Sequence, residues 1–79
     1  MTEILDKILA EINPQIIDNK EVDLIKEGIL TSLDLISIIS EIEEELQIEI
    51  ESEDIIADNF RSYTTIKKLF LKYLSDNKK

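Results

Sequence analysis

The sequence predicts an all-α fold: a small four-helix bundle with three longer helices, a short helix III and a long loop between helices I and II. Three observations support this prediction. Apolar residues recur at helical spacing in several segments, helix-capping residues stand in front of them, and the one stretch with strand-like alternation has no evident partner strand. A length of 79 residues suits a single domain, residues 1–79.

Helix I is predicted at residues 3–13. Its apolar residues lie on one side of a helix, and Asn13-Pro14 brings that pattern to an end. They are Ile4, Leu5, Ile8, Leu9 and Ile12. Residues 14–30 contain apolar residues without a sustained period, which predicts a long loop attached to the core by apolar anchors. Loops of this length in small domains tend to be functional.

Helix II begins with the clearest signal in the chain. Thr31, followed three residues later by Asp34, resembles a capping box in which Asp replaces the usual Glu or Gln. Thr31 as the cap places Ser32 at the first helical position, after the Gly28-containing loop. The Ser32 hydroxyl is then free to face water beside unpaired N–H groups and the positive end of the helix dipole. The pattern predicts a serine to which another enzyme attaches a phosphate, on a protein that acts as a carrier.

The rest of helix II has a core side and a contact side. The predicted core side consists of Leu35, Ile38, Ile39, Ile42 and Leu46. Another side carries Asp34, Ser37, Glu41 and Glu45, which we expect to dock partner proteins. Leu33 falls outside the core side, and it is either an ordinary core or loop contact or an apolar contact for a group attached at Ser32 or for an incoming enzyme.

Residues 47–51 alternate with period two, but they are predicted to be an extended connection because they lack a partner strand. Ser52-Glu53-Asp54 is predicted to cap helix III, one or two turns carrying Ile55 and Ile56. Asn59-Phe60-Arg61 interrupts that pattern.

Helix IV is predicted to begin after a Ser62 cap. Its apolar side consists of Ile66, Leu69, Phe70, Tyr73 and Leu74. Lysines lie outside this side, and the basic last turn suits the C-terminal end of the helix dipole.

Composition excludes most enzyme classes. Without cysteine there is no disulfide or thiolate metal site, and without histidine the commonest general base and metal ligand is missing, so we expect no catalytic residue and no specific metal site. A net charge of -9 would repel nucleic acid and anionic lipid. We expect a monomeric cytoplasmic protein that neither inserts into membranes nor carries an export signal, and whose partners are proteins.

Every charged residue from Glu27 to Asp58 is acidic. A solvated face that keeps the domain soluble explains such a run, but its position beside Ser32 favours docking to basic partner surfaces. Calcium binding is an alternative for clustered acids. The sequence has no Asp-rich calcium loop with a terminal Glu, so only loose cation binding is expected.

These motifs together resemble the acyl carrier proteins and the related peptidyl and D-alanyl carrier proteins. The resemblance covers nearly the whole chain, through Gly28-Ile29-Leu30-Thr31-Ser32-Leu33-Asp34, the acidic helix ending Glu43-Glu44-Glu45-Leu46, and then Ile48-Glu49-Ile50, Glu53-Asp54-Ile55 and Asn59-Phe60. In that family the serine of an Asp-Ser-Leu motif receives 4'-phosphopantetheine from coenzyme A. Thr31 stands where the family usually has Asp, which affects the choice of transferase more than the attachment itself.

The resemblance implies that Ser32 bears the arm, with Leu33 and Ile55 beside it. It implies a non-enzymatic carrier that moves thioester-bound acyl groups in fatty acid, polyketide or related lipid metabolism. Its partners would be a phosphopantetheinyl transferase and acyl-loading or acyl-processing enzymes with basic docking patches. An aminoacyl, D-alanyl or peptidyl carrier is the alternative. A small acidic helical adaptor without a prosthetic group is an alternative of another class, but it gives no reason for a free serine at a capped helix start.

Overall fold

The chain folds into helices and short turns around one core. A computed structural model describes residues 3–18 and 20–76, with the side chain of residue 76 excepted, and it contains no strand in that part of the chain. Its α-helices are α1 (Glu3–Ile12), α2 (Gln15–Asp18), α3 (Ser32–Leu46) and α4 (Tyr63–Asp76). Two 3-10 turns, Ser52–Asp54 and Ala57–Phe60, lie between α3 and α4. The predicted all-α bundle is confirmed. Residues 48–51 form neither helix nor strand, as expected, but Gln47 differs from the predicted extended connection because it ends α3 with a left-handed backbone (φ 55°).

The first correction concerns the predicted loop at residues 14–30, which contains the short helix α2. Asn13 ends α1 through a backbone N–H bond of 2.8 Å to the Leu9 carbonyl. Its side-chain oxygen also accepts a hydrogen bond of 3.0 Å from the Gln15 N–H, and Pro14 provides the fixed backbone of a helix start. The same dipeptide therefore ends one helix and starts the next.

The second correction concerns helix III, which is not a continuous α-helix. The two 3-10 turns are separated by Ile55 and Ile56, and the backbone of Ile56 is extended. Ser52 does not cap through its side chain; instead, its carbonyl accepts the Ile55 N–H at 3.1 Å. The Asn59 side chain donates to the Asp54 carbonyl at 2.7 Å, and the extended backbone of Ile56 interrupts any regular helix in this segment.

The core collects one side of each long helix and a few loop residues. Its fully buried side chains include Leu5, Leu9, Ile16, Leu24, Ile38, Ile42, Phe60, Ile66 and Phe70. The predicted apolar sides of the helices are confirmed at most positions. Ile4 is exposed, whereas Ile12, Leu35, Ile39 and Leu74 pack against the rim of the core and are partly buried.

Helix α4 starts as predicted. The Ser62 hydroxyl accepts the Thr65 N–H at 3.2 Å, and the Thr65 hydroxyl accepts the Ser62 N–H at 3.1 Å. The hydroxyl of Tyr63 then donates to the Asp6 carboxylate at 2.5 Å, which joins α4 to α1. Within the described residues, no helix combines the length and apolar character needed to cross a bilayer.

Candidate functional site

The site is built around the first turn of α3. Thr31 is its N-cap: the Thr31 hydroxyl accepts the Asp34 N–H at 3.2 Å, and the Asp34 carboxylate accepts the Thr31 N–H at 3.0 Å. This confirms the predicted capping box with Asp in place of Glu. Ser32 is the first helical residue, and it is exposed. The cap does not use the Ser32 hydroxyl, which makes no hydrogen bond to another described residue.

The first-turn backbone suits a bound phosphate. The N–H groups of Ser32 and Leu33 precede the first helical bond, which the Leu35 N–H makes to the Thr31 carbonyl at 3.1 Å. Neither N–H group bonds to a carbonyl in the described loops. An anionic group on the Ser32 oxygen would therefore meet two free donors and the positive end of a helix of 15 residues.

The loop before Ser32 is held by a folded turn rather than by Gly28 alone. The Leu24 carbonyl accepts two N–H groups, from Ile29 at 2.8 Å and from Leu30 at 3.0 Å, and the Leu24 N–H donates to the Arg61 carbonyl at 2.5 Å. Gly28 has φ +73°, a backbone conformation that favours glycine. Burial of Leu24 and Leu30 then fixes where α3 begins.

An ion-pair bridge fastens this loop to the turn before α4. The Arg61 guanidinium contacts the Asp23 carboxylate at 3.2 Å and the Asp58 carboxylate at 2.7 Å. The Asp23 carboxylate also accepts the Lys26 N–H at 2.9 Å. That backbone donor, followed by Arg61, lowers the pKa of Asp23. The serine is thus placed by contacts between distant parts of the chain.

Exposed apolar side chains occur near the start of α3 and in the 3-10 segment. Leu33 is 76% exposed, so it is not a core contact, and Ile55 is also exposed. Ile36 and Ile56 are exposed as well, although neither is among the contact residues predicted from the sequence. Ile36 lies outside the helical pattern of the core residues, which is the signal that would have identified it.

The predicted docking residues divide into two kinds. Ser37, Glu41 and Glu45 are exposed on α3. Asp34 is partly buried, and one of its oxygens is engaged in the cap. In the sequence, Glu43 is one residue of the acidic run. In the structure, its carboxylate accepts the Ile50 N–H at 2.9 Å and holds the chain after α3.

The arrangement offers a hydroxyl but not the means to activate it. Ser32 has no hydrogen-bonded base among the described residues, and those residues include no cluster of three potential metal ligands.

A family model described as "Phosphopantetheine attachment site" matches residues 2–69. No curated protein and no solved structure matches the chain. The matched range includes α1, the loop, the whole of α3 and the first half of α4. The chain therefore belongs to the phosphopantetheine attachment site family and is a carrier protein for covalently bound 4'-phosphopantetheine.

Proposed function

We propose that Ser32 is the attachment residue and that the chain carries acyl groups between biosynthetic enzymes of fatty acid, polyketide or related metabolism. The observation that supports this most directly is that the cap at the start of α3 is formed by residues other than Ser32. Thr31 and Asp34 satisfy the cap, so the exposed Ser32 hydroxyl is available for modification. The two free N–H groups beside it fit a phosphodiester.

Attachment uses the Ser32 oxygen as the nucleophile. It forms a bond to the phosphorus that carries pantetheine in coenzyme A, the pyrophosphate bond breaks, and adenosine bisphosphate leaves while the transferase accepts the serine proton. When bound, the arm supplies a terminal thiol that holds an acyl group as a thioester. The chain's own residues anchor the phosphate, and exposed Leu33 and Ile55 supply apolar contacts for the arm or for an incoming enzyme.

The chain acts as a carrier and leaves catalysis to its partners. These partners are a phosphopantetheinyl transferase and enzymes that load or process the cargo. An aminoacyl, D-alanyl or peptidyl cargo is the alternative. The cysteine-free sequence fits a reducing compartment such as the cytoplasm.

The test is replacement of Ser32 by alanine, with Ser40→Ala as the matched control on the exposed part of the same helix. After incubation with a transferase and coenzyme A, intact mass should show one added phosphopantetheine on the wild type and on the control, and none on Ser32→Ala. Circular dichroism should show the same helical content in all three, since alanine is a good helix former. Modification of Ser32→Ala at any residue would refute the assignment.

A further inference from the structure

The segment at residues 50–60, here named the strap, crosses from α3 to α4 and is anchored in the core at its two ends. Ile50 is 4% exposed and Phe60 is 1% exposed. Between these anchors, Ile55 and Ile56 are 43% and 50% exposed. Burial of apolar side chains therefore does little to hold the middle of the strap in place.

The middle of the strap is joined to α4 by polar contacts. The Asp54 carboxylate accepts hydrogen bonds from the Tyr73 hydroxyl at 2.5 Å and from the Lys72 ammonium at 3.0 Å. The Tyr73 oxygen in turn accepts the Glu51 N–H at 2.9 Å. A third strap residue, Asn59, donates to the Asp54 carbonyl at 2.7 Å. Asp54, Tyr73 and Lys72 are named here the latch.

The turn Ala57–Phe60 of the strap packs against α4, but an open cleft of about 230 Å³ lies beside this contact. Its lining includes Asp54 and Asn59 from the strap and Leu69 and Lys72 from α4. Water can enter such a cleft, so close apolar packing does not secure this part of the strap. Two residues of the latch, Asp54 and Lys72, line this cleft, and their ion pair joins the strap to α4 there.

We propose that the latch controls local opening of the strap, and that the closed strap leaves a cargo on the Ser32 arm in solvent. The second half of this proposal rests on the proposed attachment at Ser32. Its physical basis is the state of the core: Ile38, Ile66 and Phe70 are each at most 1% exposed. The strap anchors Ile50 and Phe60 belong to the same core, so a long acyl chain could pack among these residues only if the core around the strap opened. The favoured cargo is therefore short or polar.

Opening is tested by hydrogen exchange in the unmodified protein, with Tyr73→Phe as the variant. The amides to follow are those of Asp54, Ile55 and Asn59, because each donates to a strap carbonyl that the substitution leaves in place. Loss of one hydroxyl should accelerate their exchange about fivefold or more, while α1 amides change less. Tyr63→Phe is the matched control, since it removes a tyrosine–carboxylate bond from the same helix outside the strap.

A second pair of variants makes the result independent of the tyrosines. Asp54→Ala removes the centre of the latch, whereas Asp58→Ala removes a strap carboxylate that pairs with Arg61 instead. Only the first should accelerate exchange at Ile55 and Asn59. Unchanged exchange in both latch variants, or equal acceleration in the two controls, would overturn the role of the latch.

The cargo statement is tested on protein loaded with an acetyl or an octanoyl group from the corresponding coenzyme A thioester. Intact mass first establishes loading, so failure to attach an arm is distinguished from failure of this inference. We expect equal melting temperatures for the two forms. A clearly higher melting temperature for the octanoyl form would show that the chain enters the core, and it would overturn the statement that cargo stays in solvent.

Discussion

At the level of single residues, the availability of Ser32 depends on its neighbour. Thr31 has an extended backbone and a hydroxyl that accepts the Asp34 N–H, so the helix is capped without the serine. Carrier domains resembling this one usually have Asp at the position of Thr31. The geometry shows that Thr performs the capping here, without adding a negative charge beside an attached phosphate.

Replacement of Thr31 by alanine should lower the free energy of unfolding by about 0.5–2 kcal/mol, because the Asp34 N–H loses its partner. Thr31→Ser retains the hydroxyl and should recover most of this stability. Urea denaturation of the three proteins measures the effect. Equal stability of the alanine and serine variants would show that the threonine methyl group, rather than the hydroxyl, matters at this position.

At the level of helices, two tyrosines of α4 connect it to the rest of the fold. Tyr63 donates to Asp6 in α1, and Tyr73 donates to Asp54 in the strap. Burial, followed by the bond to Asp6, raises the pKa of Tyr63 to about 12. The Tyr73 hydroxyl, followed by Lys72, lowers the pKa of Asp54. The ionised Asp54 carboxylate therefore stabilises the folded state above its ordinary pKa of 3.8, and this stabilisation is lost only as pH falls through the lower pKa of the folded state. The Asp54 carboxylate of the latch thus remains charged at neutral pH.

The tyrosine that joins α1 and α4 predicts a loss of stability in alkali. Because the folded pKa of Tyr63 is raised, its stabilising contribution is complete below pH 10 and is lost as pH rises from 10 to about 12. The wild type should therefore lose stability in this pH range more steeply than Tyr63→Phe, because phenylalanine has no ionisable group at position 63. Denaturant unfolding at several pH values provides the comparison. Parallel curves would contradict the shifted pKa.

We predict that the exposed residues Glu41 and Glu45 of α3 belong to a recognition face for basic partners. Reversing Glu41 and Glu45 together to lysine should slow association with a transferase and weaken its salt dependence, whereas each single reversal should have a small effect, since an exposed ion pair contributes about 0.2–1 kcal/mol. Stopped-flow association at low and high salt measures this.

The charge-matched control for the reversal of Glu41 and Glu45 is the double variant Glu11→Lys and Asp18→Lys, at exposed positions on α1 and α2. It changes the net charge by the same amount without touching α3. Equal slowing by the two double variants would mean that total charge steers the encounter, and the proposed face on α3 would be wrong.

At the level of the whole molecule, the fold concentrates negative charge around α3 and the strap. The charged residues from Glu27 to Asp58 are all acidic, and the basic residues that pair with Asp58 and Asp54 lie after this segment, at Arg61 and Lys72. Repulsion within this surface should oppose folding, although Glu43 and Asp54 recover part of the cost through hydrogen bonds to the backbone and to α4.

Magnesium or calcium at millimolar concentration should therefore raise the melting temperature by more than sodium chloride at the same ionic strength. The described residues contain no cluster of three potential metal ligands, so we expect loose cation binding and a similar rise in melting temperature with both cations. Differential scanning calorimetry in matched salt series measures it. Equal shifts with divalent and monovalent salt would reduce the effect to screening.

The sequence by itself determined the helical class, the start of α3 and the position of the exposed serine. Each of these depends on neighbours within one or two turns: the spacing of apolar residues, the Thr31–Asp34 cap and the Ser62 cap. These features depend on residues that are close in sequence and not on how the rest of the chain packs, which is why they could be predicted.

Only the tertiary structure decided the course of the 3-10 segment and the roles of its polar residues. Asp54 was predicted as part of a helix cap, but it contacts Tyr73 19 residues later, and the core residue Tyr73 proved to hold the strap as well. Arg61 joins Asp23, which is 38 residues earlier. Contacts over such separations leave no periodic trace in the sequence, because they depend on how the packed helices bring distant residues together.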